Sequence, residues 1–139
     1  MSGATLEQRN PYKGTPPRCW VLVHLLAPDG TEQEVELLAD TGSPFTLILG
    51  DNLLRRFEYG PAPLPTTHTG LLRGGVVRLT IPDIGLDVLL AAYASDAIVR
   101  EAQVSSRDFE GLTGLPFHRM VEYGGDSDWF WIRPQGSNP

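Results

Sequence analysis

The chain alternates short apolar runs with polar, turn-prone breaks, a pattern of short strands rather than long helices. The run at 18–27, RCWVLVHLLA, is rich in β-formers, and PDG at 28–30 is a turn signal. Residues 32–39, EQEVELLA, alternate and then become wholly apolar, which predicts a hairpin that delivers Asp40 at its end. PFTLIL at 44–49 reads as a further strand. GDNLLRRFEYG at 50–60 predicts a short helix with Asp51 as N-cap, Leu53, Leu54 and Phe57 on one face, and Gly60 at its end. A Pro/Gly/Thr-rich connection, 61–75, leads to a second strand–turn–strand unit: VVRLTI (76–81), PDIG (82–85) and LDVLLAAYA (86–94). Residues 95–108 fit a short helix or a loop. FEGLTGLPF (109–117) is apolar with two glycines, FHRMVEY (117–123) reads as a short helix, and DWFWIRP (128–134) as a closing strand. The two hairpin units share a Pro-Asp turn, an echo that any two hairpins of a small β domain would show.

Composition narrows the class. The 139 residues suit one domain, and 41% hydrophobic with 20% charged residues reads as globular rather than disordered. The expected organisation is a flexible N-terminal arm (1–17), one domain (18–134) and a tail (135–139). The formal net charge of −6, with only scattered basic pairs such as Arg55-Arg56, argues against a nucleic-acid partner. A single cysteine, Cys19, excludes an intrachain disulfide, and its place beside Trp20 in a strand suits a small core residue. Residues 1–17 contain no apolar signal core, and no apolar run approaches the roughly 20 residues of a membrane span. The expectation is a cytoplasmic protein with no membrane partner. His24, His68 and His118 lack paired ligand spacing, so no metal and no cofactor is expected. Ser43 lies in TGSPF rather than a nucleophile elbow, and no phosphate loop is present.

The segment with chemical content is LLADTGS, residues 37–43. An apolar strand, an aspartate, then Thr41, Gly42 and Ser43 resembles the motif of the retropepsin-like aspartic proteases. Gly111-Leu112-Thr113-Gly114-Leu115-Pro116-Phe117, followed by a short helix and a closing strand, is similar to that family's second signature of an apolar pair and a glycine late in the chain. The resemblance runs from about residue 18 to 134. It implies a mainly β, retropepsin-like closed acid-protease barrel with one or two short helices. It also implies an aspartic endopeptidase with Asp40 as the catalytic group. Two close carboxylates share one proton, so the pair acts as base and acid together. This chain carries one DTG, and Asp126 and Asp128 lie in GGDSD without the motif. The second Asp40 is therefore expected from a second copy, making the homodimer a condition of catalysis.

Supporting roles follow. Glycine at position 42 lets the backbone approach the carboxylate, and the Ser43 hydroxyl is placed to orient it. The resemblance assigns Thr41 a brace across the dyad and Leu112, Thr113 and Gly114 to the second glycine motif. It also implies a substrate-covering flap at Thr69, Gly70, Leu71, Leu72, Arg73, Gly74 and Gly75, with the glycines giving mobility. Consecutive Trp129, Phe130 and Trp131 put aromatics on both faces of the last strand, which suits either a dimer interface or a central core strand. Two other readings stand beside the protease: a non-catalytic retropepsin-like homodimer that binds extended peptides, and a plain β domain in which Asp40 only bonds its own turn.

Overall fold

The computed structural model describes residues 6–62 and 72–136. Nine strands, β1 (Gln8–Pro11), β2 (Trp20–Leu26), β3 (Glu32–Ala39), β4 (Leu47–Leu49), β5 (Gly74–Ile81), β6 (Leu86–Ala94), β7 (Phe109–Thr113), β8 (Val121–Gly125) and β9 (Trp129–Pro134), are accompanied by helices α1 (Asp51–Phe57), α2 (Asp96–Gln103) and α3 (Leu115–His118). Six strands close into a barrel in the order β2-β3-β7-β4-β6-β5, and β1-β9-β8 form a separate three-stranded sheet. The mainly β, closed-barrel expectation therefore holds.

Strict alternation decides the barrel interior. In β2, Val21, Val23 and Leu25 point inward, and in β5, Val77, Leu79 and Ile81 do the same. These residues join Leu37, Leu47, Leu49 and Phe57 in one core cluster. A second cluster lies between α2 and the strands β3, β4 and β7, built on Leu38, Phe45, Ile48, Val99, Phe109 and Leu112. The two predicted hairpins are present and pair with each other through β2 and β5.

The connectivity that matters is around β7. β3 and β4 are consecutive in sequence but do not pair; β7 lies between them, parallel to β3 and antiparallel to β4. The end of β7 is thereby delivered to the loop that carries Asp40.

Several local expectations are corrected. Gly50, not Asp51, is the N-cap of α1, and the Asp51 N–H donates to Asp96 Oδ1 at 2.9 Å, a cap borrowed from a residue far along the chain. The helix ends at Phe57 rather than at Gly60, because Tyr59 N–H pairs with Val76 O and turns the chain into sheet geometry. The predicted helix at 117–123 divides into the single turn α3 and the strand β8, which β9 recruits as a pairing partner. The ambiguous stretch 95–108 contains α2, whose N-cap Ser95 accepts from Ile98 N–H at 3.2 Å. Within the N-terminal arm, Gln8–Pro11 form β1 on the edge of β9. The Gln8 side-chain amide bonds both Leu22 N–H and Leu22 O at 2.8 Å, standing in for a neighbouring strand beside β2. β9 is a central strand: Phe130 is buried, Trp129 is 38% exposed, and Trp131 lies under the Arg133 guanidinium. Among the described residues, no helix is long and apolar enough to cross a membrane.

Candidate functional site

Asp40 is the first residue beyond β3. Its N–H donates to Thr113 O at 2.8 Å, its carbonyl accepts from Ser43 N–H at 3.0 Å, and its Oδ1 accepts from Gly42 N–H at 3.0 Å. The last contact is an Asx turn, which tightens the loop and leaves the second carboxylate oxygen without a hydrogen bond among the described residues. The Ser43 hydroxyl accepts from Phe45 N–H at 3.2 Å, so it braces its own loop. Thr41 and Gly42 are exposed. A Cβ at Gly42 would stand 3.2 Å from Asp40 Oδ1, the crowding expected from the sequence.

The second glycine motif closes on this loop from the other side. Leu115 N–H donates to Ser43 O at 2.9 Å and Gly114 N–H to Thr46 O at 3.0 Å. The approach is so close that a Cβ on Gly114 would lie 1.8 Å from Phe45 O. Leu112 and Thr113 are buried beneath. The two segments singled out in the sequence are thus a single construction, zipped by backbone hydrogen bonds.

Beside Asp40 opens a pocket of about 350 Å³ lined by Leu38, Phe45, Leu112 and, from α2, Ile98, with Arg18 and Glu101 as its other charged groups. Arg18 forms no ion pair among the described residues. Leu72 packs on the second core cluster, to which Leu38, Phe45 and Leu112 of this pocket also belong. Of the expected flap, Thr69, Gly70 and Leu71 lie outside the described residues. Arg73 is an anchor, paired with Glu58 at 2.7 Å and Asp51 at 3.1 Å. Gly74 and Gly75 open β5, opposite Tyr93 and Ala92; a Cβ on Gly74 would meet the Tyr93 ring at 2.8 Å. Asp126 is committed to the β8–β9 turn, accepting from Asp128 N–H at 2.8 Å and Trp129 N–H at 2.9 Å.

Two features escaped the sequence reading. Arg18 reaches the pocket only because β2 runs beside β3. His118 is fully buried behind the Asp40 loop, with Nε2 2.8 Å from Thr113 Oγ1 and Nδ1 without a partner. Burial pushes its pKa down to about 4, against the opposing pull of the Asp40 charge. Lone histidines give no spacing signal, so only the packing reveals it. A second, polar cleft is lined by Glu34, Glu36, Asp108 and Glu110. There Lys13 bridges Glu36 and Asp108, and burial raises the Glu110 carboxyl with help from Glu36. Among the described residues, no cluster of His, Cys, Asp and Glu has the arrangement of a metal site. No protein-family model matches the chain, and no curated protein matches it in sequence.

Proposed function

We propose that the chain is a retropepsin-like aspartic endopeptidase, active as a homodimer in which two Asp40 carboxylates meet. The observation that carries the reading is the joining of LLADTGS to the 111–117 motif: two segments far apart in sequence form one hydrogen-bonded loop pair with Asp40 beside a pocket. In the dimer, the ionised Asp40 takes a proton from a water that attacks the scissile carbonyl. The protonated Asp40 donates to the carbonyl oxygen as charge develops there. The dyad needs no metal or organic cofactor. The exposed Thr41 is available to brace a partner loop. β9 has both edges filled by its own chain, so any strand pairing between copies would use another edge, such as that of β8. The apolar pocket lining supports an extended polypeptide substrate with an apolar side chain near the cut.

The test is cleavage of a random fluorogenic peptide library between pH 4 and 7 by the wild type and Asp40→Asn, with sedimentation equilibrium on both. The expected result is a dimer whose activity falls about 10³-fold or more in Asp40→Asn. Cleavage unchanged in Asp40→Asn, or a monomer at high concentration, overturns the reading. Binding of library peptides by a dimer that never cuts them would instead establish the peptide-binding alternative.

A further inference from the structure

Building on the proposed catalytic role of Asp40, we infer that His118 is a positioning residue, acting through Thr113 to hold the end of β3 that leads into Asp40. Thr113 grips the end of β3 twice. Its carbonyl accepts from Asp40 N–H at 2.8 Å, and its hydroxyl donates to Leu38 O at 3.3 Å. Ala39 is clamped between these two bonds.

The hydroxyl has one proton. Once that proton is given to Leu38 O, Thr113 Oγ1 meets His118 Nε2 at 2.8 Å only as an acceptor. His118 Nε2 therefore carries the imidazole hydrogen, and Nδ1 is a bare lone pair. The buried, partnerless Nδ1 agrees with this, because an orphaned acceptor costs less than an orphaned N–H. The opposite tautomer would bury an unsatisfied Nδ1–H and turn the Thr113 hydroxyl away from Leu38.

The ring is wedged in place from every side. Phe117 of α3, Tyr123 of β8 and Phe130 of β9 stand edge-on at 5.3, 5.1 and 6.3 Å between centroids. Among the described residues, Tyr123 is the titratable side chain in ring contact with His118, and the charge that acts on the ring is that of Asp40. A neutral imidazole with a fixed N–H thus sets the direction of the Thr113 hydroxyl. That hydroxyl in turn fixes the strand end from which Asp40 projects.

Three readouts decide this on the intact protein. Long-range ¹H–¹⁵N NMR at pH 6 is expected to show His118 neutral and protonated at Nε2. Hydrogen exchange of the Asp40 amide is expected to quicken about 10-fold in His118→Phe and to recover in His118→Gln, whose amide reaches the same place. On a peptide selected from the fluorogenic library, kcat is expected to fall about 10- to 100-fold in His118→Phe with KM within about twofold, and His118→Gln to restore most of it. If His118→Phe does not fold, Thr113→Val against Thr113→Ser poses the same question. A proton on Nδ1, an imidazolium at pH 6, or unchanged exchange and kcat in His118→Phe would overturn the inference. If the wild type cleaves no peptide, the catalytic reading of Asp40 fails separately, while NMR and exchange still judge the His118–Thr113 contact.

Discussion

A methyl group at position 114 would sit 1.8 Å from the Phe45 carbonyl oxygen, inside any permissible contact. The obstacle is backbone, so no side chain can rotate to relieve it. Gly114→Ala is therefore expected to destabilise by about 3 kcal/mol and to part the 113–115 segment from the Asp40 loop. Urea unfolding checks this; a loss under about 1 kcal/mol would show that the two loops separate without cost. Gly114 was legible in the sequence as part of a motif, but its physical reason was not, since close approach is a relation between distant segments. Ser43 shows the converse: its hydroxyl suited the carboxylate on paper, yet the geometry gives it to Phe45 N–H.

At the scale of elements, capping separates what was readable from what was not. Asp51 looks like a cap from local sequence, but the helix starts one residue earlier and Asp96 supplies the acceptor. α2 is the reverse case, a stretch with no clear period whose Ser95 cap is local. Ser95→Ala is expected to cost about 1 kcal/mol and to loosen Ile98 at the pocket wall, read as a lowered midpoint in urea and faster exchange of the Ile98 amide. An unchanged midpoint would mean α2 is held by its packing on β7 alone. The 117–123 stretch failed as a helix because its hydrogen bonds are claimed by β9, a partner that no local window contains.

For the whole molecule, His118 makes acid tolerance a test of burial. Its folded pKa is about 4 against an ordinary 6.5, so the unfolded chain binds the proton first. Stability from this group is complete above pH 6.5 and is lost as pH falls through about 4, for a total of about 3 kcal/mol. The groups around the ring are Thr113, Phe117, Tyr123, Phe130 and, as the attracting charge, Asp40. His118→Phe is expected to lose less stability than the wild type between pH 7 and pH 4, measured by chemical denaturation at fixed protein concentration. Equal acid sensitivity in the two proteins would show that His118 opens to solvent before it is protonated.

The sequence by itself determined the two hairpins, the strands β4 and β9 and the two motifs, because apolar alternation and turn chemistry act within a few residues. It also showed that the DTG triplet occurs once in the chain. Only the tertiary structure decided that β7 enters between β3 and β4, that Gly114 must be bare, and that a buried histidine stands behind Asp40. Each of these depends on contacts between segments tens of residues apart, which are set by how the barrel closes and not by any local pattern.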